Sequence, residues 1–323
     1  MSLIEQLKQQ ILQGQLISKE QALQLIEQPL EELCSAADQI RAHFCQNHFD
    51  ICTIVNAKSG RCSEDCKYCA QSSYYKTEIE EYPLLNSAEI VEQAVYNDER
   101  GVLRYSLVTS GRALGNQEID KVCASILDIH KQAKIKVCVS LGLLNQEQFA
   151  RLKQAGACRV HNNLESSRKN FPNICTTHTY DDKIESIKAA QAAGLNVCSG
   201  GIMGLGESMQ DRIDMAFDIR ALGIRSIPVN MLNPIPGTPY AHLDKLTVDD
   251  MRRIVALFRF IVPDAYIRLA GGRGILADKG RSCFQSGANA CISGDMLTTA
   301  GISIEQDMRM LEELGYEAVL CDE

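Results

Sequence analysis

From residue 49 onward the chain alternates between two patterns, and this alternation constrains the fold more than any other feature. Short apolar runs fall at 49–56, 103–109, 135–141, 158–162, 195–199, 226–231, 265–270 and 289–293. Stretches with helical spacing lie at 87–100, 117–133, 145–155, 180–193, 208–222, 247–262, 278–286 and 303–315. Several helices stop at a glycine before the next run, as at Ala155-Gly156, Ala193-Gly194 and Leu222-Gly223. Glycine there supplies the left-handed residue that closes a helix C-terminus. Strands separated by helices pair in parallel through crossovers. Eight of each, with no linker between them, predict a single α/β domain with the (β/α)8 TIM-type barrel architecture. That domain is expected over 46–323, after an N-terminal helical extension at 1–45. In the extension Leu7, Ile11, Leu16, Ala22, Leu25 and Ile26 recur at broken helical spacing. Ser18 followed three residues later by Gln21 reads as a capping box.

Composition narrows the setting. A net charge of −8 leaves no electrostatic footprint for a nucleic-acid partner. No apolar run approaches the ~18 residues of a membrane span, and the first residues lack the apolar core of a secretory signal. The expected location is therefore the cytoplasm. There the 14 cysteines are read as reduced thiols rather than disulfides. An isolated cysteine behaves by default as a small core hydrophobe. Cys34, Cys45, Cys123, Cys158 and Cys321 receive that assignment. A role stays open for Cys175, in an Asn-Ile-Cys-Thr-Thr loop expected near the barrel mouth.

Three cysteines stand apart. Cys62, Cys66 and Cys69 form a Cys-x3-Cys-x2-Cys array directly after the first apolar run. Thiolates at such close spacing hold iron–sulfur clusters, whereas a structural zinc site is closed by four ligands. Three protein ligands on a cubane leave one iron for a group that is not protein. The alternative at this point is a zinc loop whose fourth ligand lies elsewhere. The array resembles the signature of the radical S-adenosylmethionine (SAM) superfamily, including the aromatic residue, Tyr68, before the third cysteine. In that superfamily the open iron chelates the amino and carboxylate groups of SAM.

Side chains alternate along a strand, and a barrel whose outer face is covered by helices pushes polar strand residues inward or to the rim. Arg104 and Ser106 share one parity, as do Lys136, Cys138 and Ser140, and Asn196 with Cys198. Arg268 opposes Ile267 and Leu269; Cys52 goes with Asn56, and Cys291 with Asn289 and Ser293. Cys52, Ser106, Cys138, Cys198, Arg268 and Cys291 are therefore all expected to face the interior. Four inward thiols on separate strands suggest a second metal–sulfur centre.

Beyond the array, the chain resembles the biotin synthase family from residue 49 onward. The marks are Asn-Ala-Lys-Ser-Gly-Arg-Cys-Ser-Glu-Asp-Cys-Lys-Tyr-Cys-Ala-Gln-Ser (56–72), Asn-Asn-Leu-Glu (162–165) and Thr-Thr-His-Thr-Tyr (176–180). Val-Cys-Ser-Gly-Gly-Ile-Met-Gly-Leu-Gly-Glu (197–207), Pro-Val-Asn-Met-Leu (228–232), Tyr-Ile-Arg-Leu-Ala-Gly-Gly-Arg (266–273), Gly-Ala-Asn (287–289) and Leu-Thr-Thr (297–299) complete them. The resemblance implies a 4Fe-4S cluster on Cys62, Cys66 and Cys69 that reduces SAM to methionine and a 5′-deoxyadenosyl radical. The radical would take hydrogen from dethiobiotin, and sulfur would come from an auxiliary cluster. In most of the family that cluster is 2Fe-2S, on three strand cysteines and an arginine, positions that correspond to Ser106, Cys138, Cys198 and Arg268. Ser106 departs from the pattern. The implied replacement is Cys52, with Cys291 in reserve, and the substitutions resemble an anaerobe-associated form with a 4Fe-5S centre. Asn163, Glu165, Lys183, Gly200, Gly201, Gly204, Gly206 and Tyr68 fall in SAM-binding positions. Asn163, Asn230, Thr298 and Thr299 fall where the substrate is held, while His161 stands where other members have Asn. A flavodoxin- or ferredoxin-type electron donor and a homodimer are further expectations. The competing readings are another radical SAM barrel, such as a hydrogenase-maturation or thiazole-pathway enzyme, and a non-catalytic zinc or electron-transfer protein.

Overall fold

The computed structural model describes residues 1–294 and 301–320. Its parallel sheet runs through β1 (His48–Lys58), β2 (Arg104–Thr109), β3 (Lys136–Ser140), β4 (Arg159–His161), β5 (Asn196–Cys198), β6 (Gly201–Met203), β7 (Ser226–Met231), β8 (Tyr266–Leu269) and β9 (Ala290–Ile292). Pairing of β1 with β9 closes the sheet. β5 and β6 both pair with β7 and form one interrupted stave, so the closed barrel has the eight staves expected. A short final strand, β10 (Glu317–Ala318), extends the start of β1.

The interruption has a steric cause. A Cβ on Gly200 would lie 1.9 Å from the Pro228 carbonyl oxygen, and one on Gly201 would lie 2.5 Å from that of Glu165. Two glycines let the backbone step across there, and the stave resumes at Gly201, paired with Val229.

The helices fall where the spacing predicts, and their ends show why. Asn86, Asn145, Thr179, Ser208 and Thr247 each close a capping box at a helix start, satisfying amide hydrogens that the first turn leaves unpaired. Gly156 (φ +109) closes the helix ending at Ala155 in the left-handed conformation. The 278–286 stretch is shorter than expected, a helix over Arg281–Phe284 preceded by a 3-10 turn at Arg273–Ile275.

Three helices, α1 (Leu3–Leu12), α2 (Lys19–Gln24) and α3 (Leu30–Cys45), precede the barrel. The capping box of Ser18 and Gln21 is present. α3 lies on the helix Val248–Ile261, and this double cover explains why that helix is buried almost all round. Ile4, Leu7, Leu33 and Ile40 belong to the same apolar core as the outer faces of the strands. Arg253 Nη1 donates to the carbonyls of Ile26 and Gln28, both at 2.8 Å, fastening the extension to the barrel. Among the described residues no helix is long and apolar enough to cross a membrane.

Candidate active site

The loop after β1 folds over the C-terminal mouth of the barrel, the end where barrels of this type carry their chemistry. Cys62 N donates to Gln71 O at 2.9 Å and Ser73 N to Cys62 O at 2.8 Å, so the loop closes on itself. Ser110 Oγ holds the Gly60 carbonyl at 2.7 Å, and Lys67 N holds that of Ile174 at 3.0 Å. Cys62, Cys66 and Cys69 thus stand half-buried on one fixed loop. A single tetrahedral ion needs its sulfurs about 2.3 Å from a common centre. Among the described residues one group of potential ligands has all donor atoms within 4.8 Å of one another, and it joins Cys66 to Cys175 and His178, not to Cys62 and Cys69. The wider spread of the triplet suits a cluster better than one zinc ion.

Tyr68 and Cys69 form part of the rim of a cavity of about 300 Å³ that descends into the barrel to Ser106, His161, Pro228 and Ile292. Its lining carries several buried polar atoms without a protein hydrogen-bond partner: Ser106 Oγ, His161 Nε2, Asn163 Oδ1 and Glu165 Oε2. Orphans of this kind are rare in proteins, and four of them around one cavity suit bound polar ligands. His161 is held neutral, its pKa lowered to about 3 by burial and by the guanidiniums of Arg159, Arg268 and Arg104. Burial raises the Glu165 carboxyl despite the opposing charge of Lys183. Glu165 also takes a left-handed φ of +68°, a conformation rare for a residue with a side chain. It is held there by Glu165 N to Gly200 O at 3.0 Å and Ile202 N to Glu165 O at 2.9 Å.

Beneath the cavity lies a layer of thiols. Cys138 pairs in register with Ser106, Cys198 with His161 and Cys52 with Ile292, so each thiol residue is the lateral neighbour of a cavity-lining residue. β1, β3 and β5 are alternate staves, and side chains from alternate strands form the interior layers of such barrels. All three are almost fully buried. Arg268 Nη1 donates to Cys52 Sγ at 3.2 Å, and Ser226 Oγ to Cys198 Sγ at 3.2 Å. Burial pushes the Cys52 thiol up to about 11.

Below the thiols Asp50 meets three arginines. Arg104 Nε donates to Asp50 Oδ2 at 3.0 Å, Arg159 Nη1 lies 3.7 Å from the same oxygen, and Arg268 Nη2 lies 3.2 Å from Oδ1. Burial alone would raise Asp50, but Arg268, Arg104 and Arg159 win and hold it at about 2. Arg268 Nη2 is too poorly aligned with Asp50 for a hydrogen bond, and Nε also lacks an acceptor. The N–H groups on these two nitrogens, on a guanidinium whose Nη1 meets Cys52, are a donor set suited to an anionic sulfur centre.

Cys291 corrects the parity reading. It pairs with Ile51 on one side and Leu269 on the other, both facing the outer helices. Its sulfur lies 3.9 Å from Asp307 on the helix Ile304–Leu314, outside the barrel. The neighbouring polar residues misled the parity. Asn289 faces outward because its Oδ1 accepts from Arg259 Nη2 at 2.8 Å, and Arg259 is a fully buried helix residue.

The sequence matches the family model of the radical SAM superfamily over residues 57–219 and that of the biotin and thiamin synthesis associated domain over 228–317. It is 60% identical over 320 residues to a biotin synthase of Brachyspira hyodysenteriae, covering 99% of this chain and 96% of the relative. A biotin synthase of Akkermansia muciniphila is 58% identical over 317 residues, covering 98% of this chain and 99% of the relative. The chain belongs to the biotin synthase family. It is accordingly a radical SAM sulfurtransferase, and its barrel fold is shared by solved structures. Methylornithine synthase superposes with a TM-score of 0.85 at 17% identity, covering 97% of both chains. The hydrogenase maturase HydG of Carboxydothermus hydrogenoformans superposes at 0.83 and 16% identity, covering 99% of this chain and 80% of that one. At these identities they show the shared fold.

With the family in hand, the carried-over positions can be placed. Asn163, Glu165, Asn230 and Tyr68 line the cavity. Asn230 is partly spent: Nδ2 donates to Gly201 O at 3.1 Å and Oδ1 accepts from Gly271 N at 2.9 Å. One hydrogen and one lone pair of its amide are left for a ligand. Lys183 acts on both Glu165 and Cys66 through its charge. Gly200 and Gly201 approach protein backbone, as described, which is reason enough for glycine at both. Thr298, Thr299 and Cys321 lie outside the described residues. Two cysteines carry more than the filler role. Cys158 Sγ lies 3.9 Å from Cys138 Sγ and donates to Val137 O at 3.2 Å, with Arg104 Nη1 3.6 Å away. Cys175 Sγ lies 3.2 Å from His178 Nδ1, and its donor from Cys66, ahead of His178, brings its thiol down to about 4.

Proposed function

We propose that this chain inserts sulfur into dethiobiotin to give biotin, using SAM as its radical source. The observation that carries the proposal is the stacking along the barrel axis: a three-cysteine loop at the mouth, a ligand-sized cavity below it, and a buried thiol layer with an under-used arginine beneath. When bound, a 4Fe-4S cluster on Cys62, Cys66 and Cys69 would deliver the electron that splits SAM, and an auxiliary cluster on Cys52, Cys138, Cys198 and Arg268 would hold the sulfur. The auxiliary centre is assigned to the 4Fe-5S type rather than 2Fe-2S because the pair of substitutions, Ser106 for one thiolate and Cys52 as another across the layer, resembles the anaerobe-associated form of the family.

The chain's own residues orient and seal. Lys183, Glu165 and Asn163 offer a cation, a carboxylate and an amide for the charged and ribose parts of SAM, with Tyr68 beside the third cluster cysteine. The remaining hydrogen and lone pair of Asn230 suit a cyclic urea, which needs both a donor and an acceptor. Ile54, Val108, Ile202 and Leu232 make the walls apolar, which excludes water from a reactive intermediate. Thr298 and Thr299 are assigned to the carboxylate tail of the substrate. A small flavodoxin- or ferredoxin-type protein serves as electron donor, and the enzyme works as a cytoplasmic homodimer with residues 1–45 as a helical extension of the barrel.

The test is anaerobic. Reconstituted enzyme given dethiobiotin, SAM and a reductant should form biotin together with 5′-deoxyadenosine. Reductive cleavage of SAM without biotin would move the chain to another substrate of the same superfamily.

A further inference from the structure

We propose that the chain, when free of its cluster, binds one thiophilic divalent cation, Fe(II) or Zn(II), on Cys66, Cys175 and His178. Their three donor atoms all lie within 4.8 Å of one another. Two sulfurs and an imidazole are a donor set these ions favour, at metal–ligand distances of about 2.0–2.3 Å. Only a small contraction is needed to close them on one centre.

The surroundings hold the group in place. The Asp65 carboxylate accepts from Thr176 N at 2.8 Å and Thr177 N at 3.2 Å, and its Oδ1 lies 3.1 Å from the Cys175 sulfur. It also accepts from the Thr176 hydroxyl at 2.5 Å. Together with Lys67 N on Ile174 O, these bonds clamp the 174–178 segment onto the cysteine loop. Cys175 and His178 are 2% and 7% exposed, so both face the loop rather than solvent. His178 Nδ1 lies 2.5 Å from Glu64 Oε2 and 3.2 Å from Cys175 Sγ. The contact with a carboxylate assigns the ring hydrogen to Nδ1. A cation on Nδ1 would move that hydrogen to Nε2 and leave the Glu64 carboxylate, itself held by Thr177 Oγ1 at 2.8 Å, beside the ion to balance its charge.

Cys66 belongs to both sets, so the single ion and the cluster exclude each other. The ion would occupy the loop before the cluster is built and leave as it forms. Only this competition rests on the function proposed above; the metal site itself does not.

The probe is Co(II), added anaerobically to the full-length, cluster-free chain. One equivalent should produce thiolate-to-cobalt absorption and the visible bands of tetrahedral cobalt. Cys175→Ala and His178→Ala should each weaken binding at least tenfold, while a Cys62→Ala/Cys69→Ala double variant keeps the parent spectrum. Cys175→Ser, the smaller change, should lose about half the charge-transfer intensity, since sulfur ligands contribute separately. Loss of the spectrum in the Cys62/Cys69 variant, or its survival in the Cys175 and His178 variants, overturns the site, as does the absence of any thiolate band. Zinc added first should slow iron uptake during reconstitution of the parent but not of Cys175→Ala. Equal rates overturn the sharing of Cys66.

Discussion

Replacing Asp50 by asparagine would test how the barrel floor is held together. The substitution keeps the shape and leaves Arg104, Arg159 and Arg268 around a neutral amide, and all four side chains are nearly or fully buried. Two routes give the magnitude. Holding the carboxyl at about 2 rather than 3.8 corresponds to roughly 2–3 kcal/mol in favour of its ionised form. Removing one partner of a buried ion pair costs about 3–5 kcal/mol, because the other charge is left uncompensated. The larger figure is the better guide, since three guanidiniums lose one shared counter-ion. In urea this should lower the unfolding midpoint of the cluster-free chain by about 1 M for a protein of this size. The pH dependence has a definite sign. Above pH 3.8 Asp50 is ionised in folded and unfolded chains alike, and its contribution is complete. As pH falls from 3.8 toward 2, the unfolded chain takes up the proton first and the contribution shrinks. Parent and variant should therefore converge across that window, as followed by far-ultraviolet circular dichroism. A midpoint shift under about 0.2 M at neutral pH would refute the reasoning.

Further outcomes follow from the same geometry. Cys52→Ala should lower bound iron and acid-labile sulfide per chain, whereas Cys291→Ala, on the outer face, should leave both at the parent value in a metal and sulfide assay. Gly200→Ala places a methyl group 1.9 Å from the Pro228 carbonyl oxygen and should force β5 away from β7, seen as a loss of soluble yield or a sharply lower thermal midpoint. Arg273→Met strands Asp307, whose carboxylate it now grips with two guanidinium nitrogens. It should cost about 3–5 kcal/mol in urea unfolding, most of it recovered when Asp307→Leu is added.

The barrel was legible because its signal is periodic and repeated: each strand is a short apolar run, each helix has its cap, and errors in one unit are outvoted by the others. The three-cysteine loop was legible because its thiols are close in sequence. What failed was side-chain direction at the last stave. Parity there was judged from Asn289 and Ser293 as polar residues seeking the interior, yet Asn289 finds its partner in Arg259 on a covering helix. A buried arginine on an outer helix reverses the rule that polar strand residues look inward, and nothing local to 289–293 announces it. Cys158 was missed, and the role left open for Cys175 went unspecified, for a related reason. Cys158 gains its meaning from Cys138 on the neighbouring strand, and Cys175 from Cys66 more than a hundred residues earlier. Only the closed fold brings either pair together. The fifth stave was cut short at Ser199 because two glycines read as a strand end, whereas they mark a backbone crossing after which pairing with β7 resumes.

The central claim is that sulfur held in the thiol layer of this barrel ends up in the product. The most direct measurement is a single turnover of enzyme reconstituted with isotopically labelled sulfide, followed by mass analysis of the biotin formed. The account predicts labelled biotin, in an amount that falls when Cys52 or Cys198 is replaced by alanine. Unlabelled biotin, or labelled product unaffected by loss of those thiols, would contradict it.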